Sequence, residues 1–87
     1  MPEISRFFGI VILVYYNDHA PPHVHVRRSR EQGRVGIDPV EVLDGDLSLK
    51  TRRLVLRWAA LHRAELLADW YLAQAGRPPF PIEPLAQ

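Results

Sequence analysis

Ile10-Val11-Ile12-Leu13-Val14-Tyr15-Tyr16, then Asn17-Asp18-His19-Ala20-Pro21-Pro22, then His23-Val24-His25-Val26: on this stretch the fold of the 87-residue chain turns. The first seven residues are aliphatic or aromatic without interruption. Such a run reads as a strand buried on both faces, and so as a central one in its sheet. Asn17-Asp18 ends it with turn chemistry. Each proline of Pro21-Pro22 fixes its own φ and pushes its predecessor out of the α region, so a stiff, extended corner follows Asp18. His23 to Val26 then alternates, and alternate residues of a strand share a face. This assigns Val24 and Val26 to the core and sets His23 and His25 side by side on the opposite surface, with His19 within reach across the corner.

Working outward, Phe7-Phe8-Gly9 leads into the apolar run. Downstream, the strand from His23 to Arg28 is followed by a polar loop, Ser29-Arg30-Glu31-Gln32-Gly33. A short third strand, Arg34-Val35-Gly36-Ile37, is closed by Asp38-Pro39. Val40-Glu41-Val42-Leu43 reads as a fourth strand or an extended connector, and Asp44-Gly45 as a turn. Ser48 is a good N-cap, with Asp46 as the alternative, and the helix it opens extends to Ala75, with Gly76 as the C′ residue. At 1.5 Å per residue that helix is roughly 40 Å long. Val55, Ala59, His62, Leu66, Trp70 and Ala73 form its apolar face, widened by Leu56, Ala60, Leu67 and Tyr71. Arg53, Arg57 and Ala64 mark the exposed edge.

So broad an arc exceeds what a small sheet covers, which points to a homodimer or a partner protein along the helix. The alternative is a helix that divides near Arg63-Ala64, with both halves on the sheet. Trp58 and Trp70 read as packing anchors and His62 as a core or interface residue. Four prolines between Gly76 and Leu85 give an extended tail, held to the body by Phe80, Ile82 and Leu85. The expectation is one α+β domain over residues 1–87. Its 1–47 half is β-rich and carries the histidines, 48–75 is helix and 76–87 is the Pro-rich tail. A three- to four-stranded, mainly antiparallel sheet packs on one long C-terminal helix.

Composition narrows the function. The chain has no cysteine, which removes disulfides and thiolate metal sites and suits a reducing cytoplasm. Its longest apolar run is far short of the roughly 20 residues that span a membrane, and Met1 to Arg6 lacks the layout of a signal peptide. A soluble, cytoplasmic protein without a membrane partner is expected. The net charge of +1 conceals clusters: Arg27, Arg28, Arg30 and Arg34 in one region, and Lys50, Arg52, Arg53, Arg57 and Arg63 in the helix. Both suit an anionic partner.

Three of the four histidines fall between positions 19 and 25. His-x-His on a strand offers two imidazoles to one divalent ion such as zinc, with His19 or Asp18 as a third ligand and an open position for water. The same residues suit acid–base chemistry of the ribonuclease kind. There His23 and His25 share the proton transfers, Arg27 clamps the phosphate, and His19, Tyr15 and Tyr16 serve as auxiliary proton carriers or stacking surfaces. A third reading is structural, with the imidazoles bonding the backbone of the corner.

Met1-Pro2-x-Ile4-Ser5-x-Phe7-Phe8-Gly9-Ile10, followed by Tyr15-Tyr16-Asn17-Asp18-His19-x-Pro21-Pro22-His23-x-His25, resembles a bacterial family of short proteins, domain of unknown function 4160. The segment from Val55 to Leu66 and the ending Ile82-Glu83-Pro84-Leu85 are also similar to it. Members of that family usually carry Phe where Val24 stands, and variable, often acidic or aromatic, residues where Arg27 and Arg28 stand. The resemblance implies a small module encoded beside a member of domain of unknown function 2442, in a layout like a toxin–antitoxin pair. A toxin-like component acting on RNA or on translation is the first expectation. A non-catalytic interaction module using the helix face, and a metal-dependent hydrolase or sensor, are the alternatives.

Overall fold

The structure, a computed structural model, describes residues 2–86. Met1 and Gln87, the outer limits of the expected domain, lie outside the described residues. Five strands come first: β1 (Glu3–Phe7), β2 (Ile10–Leu13), β3 (His23–Arg28), β4 (Glu31–Ile37) and β5 (Val40–Asp46). Two helices follow, α1 (Leu49–Leu61) and α2 (Arg63–Gln74). Each strand pairs antiparallel with the next, giving one sheet in the order β1-β2-β3-β4-β5.

Two parts of the expected architecture are corrected. The sheet has five strands rather than three or four, because Phe7 and Phe8 are not a lead-in. Phe8 (φ 51) and Gly9 (φ 77) both adopt positive φ, the signature of a two-residue type I′ hairpin turn, and Phe7 pairs directly with Ile10. At the far side, Asp44-Gly45 does not end the chain's extension but lies within β5. Val35 faces Val42 while Arg34 faces Asp44, so Leu43 is an extra residue, a bulge, and Gly45 (φ 106) follows it.

The second correction concerns the helix, which is two helices. A continuous helix over 48–75 would be roughly 40 Å long, whereas the longest dimension of the molecule is 33 Å. The division falls at His62 (φ −115, ψ 24), one residue before the point named in the alternative reading. Its ring lies against Trp58, and its Nδ1 meets Glu65 Oε1 at 2.7 Å. Divided there, Val55, Trp58 and Ala59 of α1 and Leu66, Trp70 and Ala73 of α2 all enter a single core. Leu61 and Tyr71 stay exposed.

Helix ends follow local chemistry. Ser48 caps α1 by accepting from the Thr51 N–H at 3.3 Å, and Glu31 at the tip of the β3–β4 hairpin accepts from the Ser48 N–H. At the end of α2, Gly76 (φ 74) donates to Ala73 O at 3.0 Å and Arg77 to Leu72 O at 2.9 Å, a Schellman cap.

The core lies between the helices and one face of the sheet, filled by Ile10, Ile12, Val14, Val24, Val26, Val35 and Ile37 with Trp58. The tail closes it. Ile82 and Leu85 are buried whereas Phe80 is exposed, the Ile82 N–H donates to Ile4 O at 2.8 Å, and Trp58 Nε1–H donates to Glu83 O at 2.8 Å. Among the described residues, no helix is long and apolar enough to cross a membrane.

Candidate functional site

Register decides what stands on the other face of the sheet. Ile12 opposes Val26 and Val24 opposes Val35, all toward the core. Period-two alternation then sends His25 to the opposite face, between Leu13 on one neighbour and Arg34 on the other. Arg27 follows on the same face, between Val11 and Gln32.

The corner supplies the rest of the site. Asn17 (φ 54) turns the chain at the end of the apolar run, and its N–H donates to Ala73 O at 3.4 Å. Gln74 of α2 donates to Asp18 O at 2.7 Å, and the Asp18 carboxylate accepts from the His19 N–H at 2.9 Å. Held from both sides, Asp18 faces β3. Its Oδ2 lies 2.8 Å from His25 Nε2 and 2.9 Å from His23 Nε2, and its Oδ1 is 3.2 Å from His19 Nδ1. Burial pushes the Asp18 carboxyl up. The bond from His25, the His19 N–H and the electrostatic pull of the two neighbouring imidazoles outweigh it and hold the carboxyl below its ordinary value.

His23 differs from the expectation of two accessible imidazoles. It is 1% exposed, and its ring lies 5.2 Å from that of Trp70. Its Nδ1 sits 2.7 Å from the Pro21 carbonyl oxygen. A carbonyl only accepts, so Nδ1 carries a proton and the neutral ring has its lone pair on Nε2. Although Nε2 is 2.9 Å from Asp18 Oδ2, the contact lacks hydrogen-bond alignment, and Nε2 is left buried without a hydrogen-bond partner. His25 is half-buried and stacked on Tyr15, with centroids 3.8 Å apart and planes 10° apart.

Tyr15, His25, Arg27, Gln32, Arg34 and Asp44 line a cleft of about 210 Å³ on this face. Arg27 donates to Tyr15 Oη at 3.3 Å, and Arg34 Nε donates to Asp44 Oδ2 at 2.9 Å. Arg34 and Asp44 reinforce each other's charged forms, the hydrogen bond raising the guanidinium and lowering the carboxyl.

The structure thus brings together Asp18, His23 and His25, whose donor atoms all lie within 4.8 Å of one another. His19 stands outside that set, its side chain 80% exposed. Tyr16 is 42% exposed and does not line the cleft, where Tyr15 stands instead. Sequence reasoning missed Gln32, Arg34 and Asp44 as members of the site, along with Trp70 and Gln74 behind it. Arg34 could have been found from the β3–β4 register, since it stands directly across from His25.

A family model described as a domain of unknown function (DUF4160) matches residues 9–71, a span that includes the whole histidine cluster and most of both helices. No curated protein and no solved structure matches the chain.

Proposed function

The chain belongs to the domain of unknown function 4160 family, and from that premise we propose that it is the toxin-like component of a bacterial toxin–antitoxin module, acting on RNA at the cleft beside Asp18, His23 and His25. The observation that carries this reading is that His25, clustered with Asp18 and His23, lines a cleft that also presents Tyr15, Arg27 and Arg34. Arg27 can hold a phosphate, Gln32 can bond a base edge or a ribose hydroxyl, and Tyr15 offers an aromatic surface to an unpaired base. With His23 buried, His23 and His25 cannot both reach a substrate, so a shared proton relay between them is set aside. Exposed His19, beside Asp18 Oδ1, is the free proton carrier of the group.

The test is induction of the protein in a bacterial host, with incubation of the purified chain on labelled single-stranded RNA. Growth arrest and cleavage are expected, both lost in His25→Ala and reduced in Arg27→Ala. A purified wild-type chain that neither cuts RNA nor arrests growth refutes the proposal.

One observation favours an interaction role alongside this one. Between Leu49 and Leu61 α1 has no acidic residue, while Lys50, Arg52, Arg53 and Arg57 are all exposed. A face of one sign suits an acidic segment of a cognate small partner protein. Arg53→Glu with Arg57→Glu is expected to abolish partner binding and leave RNA cleavage intact.

A further inference from the structure

We propose that Asp18, His23 and His25 bind one divalent transition-metal ion of the zinc class, through Oδ2 and the two Nε2 atoms. The ion's part in RNA cleavage rests on the function proposed above; ion binding itself does not.

His23 has a ring nitrogen that lacks a hydrogen-bond partner. Its Nδ1–H is committed to the Pro21 carbonyl at 2.7 Å, so in the neutral ring a bare lone pair on Nε2 faces the Asp18 carboxylate at 2.9 Å. The side chain is wholly buried and Nε2 has no hydrogen-bond partner. A lone pair held against an anionic oxygen away from water is an arrangement proteins avoid. A cation at the point where the three donors converge meets the lone pair of His23 Nε2 and the Oδ2 of Asp18, and takes the place of the proton with which His25 Nε2 now bonds Oδ2 at 2.8 Å, that proton leaving to solvent.

The surroundings match what an ion requires. A metal-bound histidine commonly donates its other ring N–H to a carbonyl or carboxylate, which fixes its tautomer, and Nδ1 of His23 does so. The stack on Tyr15 restrains the His25 ring, and the bonds from Gln74 and from the His19 N–H restrain Asp18. Donors around zinc lie about 3.3 Å apart, given bonds of about 2.0–2.2 Å. The Oδ2–Nε2 spacings of 2.8 and 2.9 Å are shorter than this and the three donor atoms all lie within 4.8 Å of one another, so an ion would draw both the carboxylate and the imidazoles into place. Two nitrogens and one oxygen from the protein, with no thiolate, leave open coordination, the pattern of catalytic rather than structural zinc. When bound, such an ion polarises a phosphoryl oxygen or lowers the pKa of a water.

The experiment uses untagged full-length protein, stripped with a chelator and titrated with zinc chloride in a calorimeter. One ion per chain is expected. His25→Ala and Asp18→Asn should each weaken binding by more than about 100-fold while the metal-free fold persists, and His19→Ala by less than about fivefold. Long-range ¹H–¹⁵N spectra should show His23 protonated on Nδ1 alone, with its Nε2 resonance shifted by zinc. Three results overturn the inference: no saturable binding, binding indifferent to Asp18→Asn and His25→Ala, or a His23 Nε2 resonance unmoved by zinc. RNA cleavage assayed in parallel separates the two proposals. Zinc binding without cleavage sinks the function and leaves the ion, whereas cleavage unaffected by chelator, with no ion bound, does the reverse.

Discussion

Replacing His23 with leucine separates what the buried ring costs from what it is for. The ring has one hydrogen bond through Nδ1 and none through Nε2, and it is 1% exposed. An unsatisfied buried polar atom costs about 1–3 kcal/mol, and the bond to Pro21 that leucine forfeits is worth about 1 kcal/mol. Leucine against Trp70 should therefore stabilise the metal-free protein by about 1 kcal/mol, a rise in Tm of roughly 4–8 °C for a domain of this size. Zinc at 100 times its Kd adds about 2.7 kcal/mol to the wild type and nothing to a chain without the ligand. The order of stabilities should thus invert, leaving the wild type ahead by about 1.7 kcal/mol. Differential scanning calorimetry of both proteins, with chelator and with zinc, gives all four values. A leucine variant less stable than wild type under chelator would mean that Nε2 is already satisfied. The reasoning that calls for a cation would then fail, as it would if zinc shifted both proteins equally.

Asp69 gives a pH dependence. Burial raises its carboxyl above the ordinary 3.8, with the charge of Glu65 in the same direction and the Phe80 N–H opposing. The native state then binds its proton more tightly than the unfolded chain does. This group's destabilisation is absent below pH 3.8 and complete once pH has risen past the elevated value. Asp69→Asn should be more stable than wild type at neutral pH and lose that advantage on acidification, as urea titrations at several pH values would show. Gly45→Ala places a Cβ 2.2 Å from Gly33 Cα at φ +106, and should cost about 3 kcal/mol or more, read as loss of cooperative thermal unfolding. Ser48→Ala removes the cap on α1 and should cost about 1 kcal/mol by denaturant unfolding, with the exchange rate of the Thr51 amide rising.

The parts of this fold that sequence made legible are those in which one residue type answers one local need. Ser48 is at the N-cap, Gly76 is at a C′ position with positive φ, and the run from Ile10 to Val14 forms an interior strand and its continuation. The parts that were not legible depend on backbone states that their residue types rarely signal. Phe8 occupies a positive-φ turn position where Asn or Gly is the usual mark, so the β1–β2 hairpin was hidden. Ser29 (φ 54) does the same at the next hairpin, where Arg28 pairs with Glu31. Reading that turn as a five-residue loop displaced the register and removed Arg34 from its place opposite His25. Asp44-Gly45 carries a turn signature, yet partners on β4 hold it in a bulged strand. Spacing put His23 and His25 on one face and offered His19 or Asp18 beside them, and it is Asp18 that stands within the cluster while His19 lies outside it. The burial of His23 was not legible, because it depends on Trp70, forty-seven residues away in sequence.

The tail has a further consequence, for solubility. β1 is an outermost strand, and its unpaired backbone would be an invitation to strand addition by another molecule. The Ile82 N–H occupies the Ile4 carbonyl, while the prolines at 78, 79, 81 and 84 contribute no N–H at all. The segment therefore works as a selvedge: it binds the border of the fabric without weaving a new thread to which a neighbour could knot.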